Sequence, residues 1–126
     1  MGIPHSHIET ELMSETTTPE ISGYHAHVYY DADSKARAER LRAAIEERFD
    51  VDLGRWHDKP IGPHPRGSYQ VAFGPDLLAR LLPWLMLNRD GLVVFLHALT
   101  GDDLADHRDY ALWLGPSEEI DLSVLT

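Results

Sequence analysis

Two hydrophobic periods alternate along this chain, and their order is the feature that most constrains its fold. Four segments combine β-prone residues with the two-residue period of strands, over 24–30, 51–57, 68–73 and 92–97. Two longer segments carry the period of amphipathic helices, over 34–49 and 75–88. The order strand, helix, strand, strand, helix, strand is that of the split βαβ arrangement. We therefore predict an α+β fold with a ferredoxin-like βαββαβ antiparallel sheet.

The ends of the helices carry further signals. Ser34 is placed to cap the first helix, and Pro75 suits the first turn of the second, which Pro83 is expected to kink or break. After the last strand, residues 100–115 are predicted to form an added C-terminal helix that Thr100 caps. Three apolar side chains of the second helix are predicted core residues: Trp84, Leu85 and Leu87.

The first 22 residues differ from the rest in composition. Residues 1–22 are polar, rich in Thr and Glu and without a sustained period, which predicts a flexible N-terminal arm. His5 and His7 lie in this arm and are given no role. Residues 23–126 then form one predicted domain, in keeping with a total length of 126 residues.

Composition excludes several classes of function. With 21 acidic against 11 basic side chains the formal net charge is −10, which disfavours binding to nucleic acids or anionic membranes. No apolar run reaches the ~20 residues of a membrane span, and no secretory signal is recognised at the start. The chain has no cysteine, which rules out disulfides, thiolate catalysis and cysteine-based zinc sites and fits a cytoplasmic location. Any transition-metal site would have to use carboxylates and the eight histidines.

Five of the eight histidines are predicted to gather at one edge of the sheet. The expected strand order is 4-1-3-2, with strands 1 and 3 taken as parallel and strands 2 and 4 running opposite to them. The start of strand 1, the end of strand 2, the start of strand 3 and the end of strand 4 then share an edge. These places hold the following side chains: His25, His27, His57, His64 and His97.

Alternation also predicts which residues share a face of the sheet. The helix-covered face takes Tyr24, Ala26 and Val28 from the first strand. The opposite face takes a mixed set of imidazole, aromatic and apolar side chains: His25, His27, Tyr29, Ser68, Gln70, Val93, Phe95 and His97. Since that face is too apolar to lie bare, we expect the C-terminal helix or a second subunit to cover it, and we predict a homodimer.

The segment "HDKPIGPHPRGSYQ" (57–70) is predicted to begin as a stiff loop, because three prolines and two glycines fall close together in it. Stiff loops place side chains accurately, which favours His57, Asp58, His64 and Arg66 as site residues. A proline-rich surface connector without a role is the alternative interpretation of the same segment.

Several stretches carry a resemblance to a known family. In order along the chain they are "YHAHVYYD" (24–31), "HDKPIGPHP" (57–65), "YQVAF" (69–73), "PWLMLNRDGL" (83–92), "LHALTGDDLADH" (96–107) and "WLG" (113–115). Together they resemble the DOPA 4,5-dioxygenase family. The resemblance implies an extradiol dioxygenase that uses non-haem Fe(II) and O₂ to open the ring of a catechol such as DOPA or caffeic acid, and so a role in the degradation of aromatic compounds.

This chemistry suggests a role for each candidate residue. Fe(II) accepts imidazole ligands, and the predicted ligands are His25, His27 and His97, with Zn²⁺ or Ni²⁺ as possible occupants after purification. His57 and His64 are the predicted candidates for the catalytic base and acid, and either could also ligate the metal. Three further residues are predicted to bind substrate: Arg66, which suits a carboxylate, Asp58 and Gln70. The carboxylate of the usual non-haem iron triad has no obvious counterpart, and Asp58 is the nearest candidate.

Three other functions fit the same residues. A non-catalytic metal-binding or small-molecule-sensing domain could use the histidines for Zn²⁺ or Ni²⁺ in a closed four-ligand site. A cofactor-free ferredoxin-like monooxygenase or isomerase would need no metal and would tolerate substitution of the histidines. A purely structural interaction module is the third alternative.

Overall fold

The computed structural model describes residues 18–125. Most of the predicted N-terminal arm, including His5 and His7, lies outside the described residues. Ser22, the last residue of the predicted arm, donates hydrogen bonds from its backbone N and from Oγ to the carbonyl of Leu99, at 2.9 and 3.1 Å. Over the described part of the chain, every helix is too short or too polar to cross a bilayer.

The elements follow the predicted order. The strands and helices are β1 (Gly23–Tyr30), α1 (Lys35–Arg48), β2 (Asp52–Leu53), β3 (Gly67–Phe73), α2 (Leu78–Asn88), β4 (Val93–Leu99), α3 (Asp103–Arg108) and β5 (Ala111–Leu114). Short 3₁₀ turns cover Pro75–Leu77 and Leu122–Leu125. The first six elements confirm the ferredoxin-like βαββαβ prediction.

The sheet has the order β2-β3-β1-β4-β5, and all neighbouring strands are antiparallel. The prediction that strands 1 and 3 run parallel is therefore wrong. The crossover through α1 makes β1 and β2 parallel, with β3 inserted between them. Because β3 pairs with β2 in the antiparallel sense, it must also run opposite to β1.

The C-terminal extension also differs from its prediction. A helix is present, but it ends at Arg108, and the second half of the predicted helix over 100–115 is the edge strand β5. In β5 the two-residue alternation of Ala111–Leu114 matches the free edge of β4, and pairing there satisfies backbone groups of both strands. The predicted cap is also wrong, because the side chain of Asp102, not Thr100, accepts the hydrogen bond from Ala105 N.

The main core lies between the two long helices and one face of the sheet. The predicted face of β1 supplies Ala26 and Val28, both fully buried, and Tyr24 packs against them. From α1 three residues at helical spacing are buried in the same core: Ala38, Leu41 and Ile45. These contacts confirm which face the helices cover.

Helix α2 departs from two predictions. It continues through Pro83 from Leu78 to Asn88, so of the kink or break predicted there, the break does not occur. Leu85 is fully buried, and Trp84 packs against the core. Leu87 is 85% exposed, so its assignment to the core is wrong. Two residues along a helix turn the side chain by about 200°, which places Leu87 on the side opposite Leu85.

Candidate metal centre and adjoining cavity

The sheet register brings three histidines together on the face opposite the main core. His25 on β1 lies directly opposite His97 on β4, and His27 follows two residues later on the same face of β1. One ligand nitrogen from each of these three rings can be chosen so that all lie within 4.8 Å of one another. The three predicted metal ligands thus form a group that could hold a metal ion.

Hydrogen bonds fix the orientation of the buried His97 ring. Its Nδ1 lies 3.0 Å from the carbonyl of Ala98, which can only accept, so Nδ1 carries the hydrogen and Nε2 keeps a lone pair. That Nε2 lies 3.1 Å from Nε2 of His27. The two nitrogens either share one hydrogen or both face a cation, and the second arrangement is that of a metal ligand with a backbone partner behind it.

His64 approaches this group from the proline-rich loop. Its ring centre is 4.1 Å from that of His27, and its Nδ1 is 2.7 Å from the hydroxyl of Tyr29. The loop is held by backbone hydrogen bonds from His64 N to Ile61 O at 3.0 Å and from Asp121 N to Pro63 O at 2.9 Å. The C-terminal segment thus helps to fix the loop that carries His64.

A further imidazole beside the metal group was missed by the sequence analysis. His107 on α3 has its ring centre 4.0 Å from that of His97, and its Nδ1 donates to the carbonyl of Asp103 at 2.7 Å. The helix is tied to β4 by the buried carboxylate of Asp106, which accepts from Thr100 N at 3.0 Å. The available signal was the "GDDLADH" stretch, in which His107 is the one residue that could ligate through nitrogen.

Burial keeps these imidazoles neutral. Desolvation is the largest cause that holds the pKa of His27 well below its usual value, and the nearby His64 ring is the second. Desolvation also lowers the pKa of His64 and of His97 to about 4. It lowers the pKa of His25 as well, where His107 is the second cause. Neutral imidazole is the form that binds a metal, so the electrostatics favour the ligand role.

The same shifts predict that the metal-free protein loses stability in mild acid. In the unfolded chain a histidine has a pKa near 6.5, whereas His64 and His97 titrate at about 4 when folded. Between these values the unfolded state binds protons that the folded state does not, so the free energy of unfolding falls as pH falls. We expect a loss on the order of 1–2 kcal/mol per imidazole between pH 7 and pH 5, measured by urea unfolding.

A variant tests this assignment. His64→Gln removes one of the titrating groups, so its unfolding free energy should fall less between pH 7 and pH 5 than that of the unmodified chain. An identical pH dependence in the two proteins would contradict the assignment to His64.

A cavity of about 280 Å³ opens beside His27. It is lined by His27, Gly54, Arg55, His57, Ile61, Gly62, Pro63, His64, Ser68 and Gln70. A β-bridge between His57 and Ser68 places His57 at the cavity. Gln70 on β3 lies directly opposite His27 on β1. The predicted residues His57, His64 and Gln70 therefore share one cavity with His27.

The convergence of the histidines does not follow the predicted edge. His25 and His97 lie towards the start of β1, whereas His57 and His64 lie near its end, next to Ser68 and Tyr29 respectively. The rings meet across the face of the sheet instead. The prediction of a shared edge is wrong because it rested on parallel strands 1 and 3.

Asp58 and Arg66 are placed differently from the imidazoles. Asp58 accepts a hydrogen bond from the hydroxyl of Tyr30, a residue of the helix-side core, and another from Lys35. Arg66 is held by both carboxylate oxygens of Glu118, at 3.0 and 2.6 Å. The structure thus gives each side chain a partner within the protein, and it does not bring Asp58 into the imidazole group.

A small apolar cluster lies beside the imidazoles on this face of the sheet. Phe95 is 1% exposed, and its ring centre lies 6.1 Å from that of His27 and 5.6 Å from that of His97. Trp113 and Ile120 pack around it, which shows that β5 and the C-terminal segment supply part of the cover expected for this face.

The chain is similar to known proteins over most of its length. Residues 24–124 match the Dopa 4,5-dioxygenase family. Over 131 residues the chain is 33% identical to a DOPA 4,5-dioxygenase of Amanita muscaria, in an alignment that takes in 97% of this chain and 55% of the relative. The chain thus spans about half the length of that protein.

Two further proteins are similar to the chain. An uncharacterised 21.2 kDa protein of Botryotinia fuckeliana is 29% identical over 138 residues, which cover 97% of this chain and 75% of that protein. The crystal structure of a candidate dioxygenase from Nostoc punctiforme is 53% identical and superposes with a TM-score of 0.83, covering 83% of this chain and 91% of the other.

Proposed function

Because the chain belongs to the Dopa 4,5-dioxygenase family, we propose that it is a non-haem Fe(II) extradiol dioxygenase that opens the ring of a catechol with O₂. The observation that carries this proposal is the group of His25, His27 and His97, whose ligand atoms lie within 4.8 Å of one another beside a cavity. DOPA-like and caffeate-like catechols are the substrates proposed from the resemblance.

The donor set fits Fe(II). Three neutral imidazoles suit this ion, and His97 has the backbone partner that fixes a ligand ring in its metal-binding tautomer. When bound by these three residues, Fe(II) would supply the Lewis acidity and the redox chemistry that a catechol and O₂ require. The geometry supports a set built from histidine, with Asp58 turned to Tyr30 and Lys35.

His64 is the proposed proton acceptor and donor. When its Nδ1–H donates to the hydroxyl of Tyr29, Nε2 holds a lone pair that can accept the proton of a catechol hydroxyl. The resulting imidazolium carries a hydrogen on Nε2 that it can return to the product, which restores the neutral ring. Gain and return of one proton at Nε2 therefore suit His64 for both proton transfers, with His57 as the second candidate in the same cavity.

The cavity would orient a single aromatic ring. Its volume of about 280 Å³ is close to the lower limit of small-ligand sites, which run from about 300 to 1,000 Å³. Gln70 lies across from His27 and can accept from or donate to a ring hydroxyl. The buried Phe95 keeps the neighbouring imidazoles in an apolar environment.

Anaerobic reconstitution with Fe(II) tests the function. After addition of DOPA or caffeate in air, we expect a yellow ring-opened product and consumption of one O₂ per catechol. Protein loaded with Zn²⁺ is the control, because Zn²⁺ has no redox chemistry and should give no product. If the Fe(II) protein consumes no O₂ with either catechol, the proposal is wrong for these substrates.

A second candidate function rests on His107. Its ring lies 4.0 Å from that of His97, so a fourth imidazole is at hand to close the coordination of an ion such as Zn²⁺. A closed four-histidine site would favour the non-catalytic metal-binding or sensing domain. Tight binding of Zn²⁺ without turnover of any catechol by the Fe(II) protein would support this second function.

Three further properties belong to the proposal. The homodimer is proposed because Leu112 is partly exposed on the edge strand β5, where a second copy could contact it. A cytoplasmic location and a role in the degradation of aromatic compounds are proposed from the composition and from the family.

A further inference from the structure

We propose that Arg55, at the cavity beside His27, binds a carboxylate on the substrate and so selects catechols that carry an acidic side chain. This inference rests on the proposed function, because it takes the cavity as the site of the catechol ring. The residue was not among the predicted site residues, and the role of carboxylate partner was predicted for Arg66.

The charge of the cavity points to an anion. Among the ten lining residues that the structure describes, Arg55 is the only one with a fixed charge, and none is an Asp or Glu. In a chain of net charge −10, a cavity with one cation and no carboxylate is a local exception that favours an anionic ligand.

Arg55 has no competing partner. Within residues 18–125 it is exposed and makes no hydrogen bond or ion pair. Arg66, by contrast, is already held by both oxygens of Glu118, and its guanidinium lies 3.6 Å from Asp31. A substrate carboxylate would have to displace Glu118 from Arg66, whereas it can meet Arg55 without displacing a protein group.

The backbone around Arg55 is fixed and leaves room for a ligand. Gly54 N donates to Gln70 O at 2.8 Å, and His57 exchanges two backbone hydrogen bonds with Ser68, at 3.0 and 2.8 Å. A Cβ at Gly54 would lie 3.3 Å from Cβ of Gln70, so glycine keeps this part of the cavity wall open. The backbone on both sides of Arg55 is therefore held by hydrogen bonds to β3 at the opening of the cavity.

The guanidinium of Arg55 and a substrate carboxylate match in hydrogen-bonding geometry. A guanidinium presents a planar fork of donors that a carboxylate can accept with both oxygens, which a lysine ammonium cannot reproduce. A catechol ring seated beside His27 would then point its side chain towards Arg55. The preferred substrates are thus catechols with a carboxylate on the ring substituent.

Binding by isothermal titration of the full chain, loaded with redox-inactive Zn²⁺ and without O₂, tests the inference. The probes are 3,4-dihydroxyphenylpropionate, which carries a carboxylate, and 4-methylcatechol, which does not. We expect the acid to bind about 10-fold more tightly than the neutral catechol. Arg55→Gln should abolish this difference and leave the affinity for 4-methylcatechol unchanged.

Three variants make the test specific. Arg55→Lys should recover only part of the preference, because the fork is lost while the charge is kept. Lys59→Gln removes one charge from an exposed neighbour outside the cavity lining, and it should keep the full preference. Arg66→Gln should also keep the preference, although the loss of its contact with Glu118 changes the C-terminal segment.

The outcomes separate this inference from the proposed function. No preference for the acid in the unmodified chain, including no binding of it, would overturn the role of Arg55, as would a preference that survives in Arg55→Gln or disappears only in Arg66→Gln. An Fe(II) protein that cleaves both catechols equally would keep the function and refute the selection. A preference lost in Arg55→Gln, in a protein that cleaves no catechol, would support the carboxylate site and refute the function.

Discussion

Replacement of His97 by alanine is expected to abolish metal binding and catechol cleavage. The Nε2 of His97 lies 3.1 Å from that of His27, and Nδ1 is held by the carbonyl of Ala98. Loss of a direct ligand should lower kcat/KM by more than the about 10- to 100-fold that loss of an outer partner costs. The measurements are Fe(II) content after reconstitution and kcat/KM for DOPA or caffeate.

Two further variants separate the loss of a metal ligand from the loss of packing and from the removal of any histidine. His97 is 1% exposed, so the alanine variant also leaves a cavity, and His97→Gln keeps more of the side-chain volume while it changes the donor. We expect His97→Gln to fold as the unmodified chain does and still lose most of its metal. His5→Ala changes a histidine in the predicted arm and should alter neither quantity. Full metal content in His97→Gln and His97→Ala would remove His97 from the ligand set.

The second large effect is expected in the core beneath α2. Leu85 is fully buried against the sheet, and Leu85→Ala should lower the free energy of unfolding by about 2–5 kcal/mol, because it removes apolar contacts and leaves a cavity. Leu87→Ala is the matched control on the same helix. Leu87 is 85% exposed, so its replacement should change stability by no more than about 0.5 kcal/mol.

Urea unfolding followed by circular dichroism measures both variants under the same conditions. The comparison decides between the sequence-based assignment, which put both leucines in the core, and the observed exposure. Equal losses in the two variants would mean that Leu87 is covered in solution, as it would be if α2 lay in a subunit interface. Such a result would support a homodimer whose interface includes α2 and not the edge strand β5 alone.

Much of the candidate site could be predicted because strand alternation is a local property. Residues i and i+2 of a strand always share a face, so His25 and His27 had to lie together, and the register confirms that His97 and Gln70 share that face with them. The proline-rich loop was also predicted to carry site residues, and it places His64 beside His27. These predictions needed only the period of the hydrophobic pattern and the position of prolines and glycines.

The errors concern interactions between distant parts of the chain. The direction of β3 relative to β1 depends on the crossover through α1. The short apolar run in residues 111–114 could form a helix or a strand by its own propensities, and the free edge of β4 decided for β5. His107 reaches His97 only because the short α3 folds back over β4, held there by Asp106 and Thr100.

Local sequence pattern is enough to predict the order of the first six elements, the two faces of β1 and the residue types available for chemistry, with histidine and without cysteine. Contacts between distant parts of the chain account for the meeting of five imidazoles across the sheet, for the engagement of Arg66 by Glu118 and for the position of Arg55 at the cavity. Backbone periodicity fixes where a side chain points within its own strand or helix. Pairing between strands and the packing of loops fix which side chains meet, since those contacts join residues far apart in the chain.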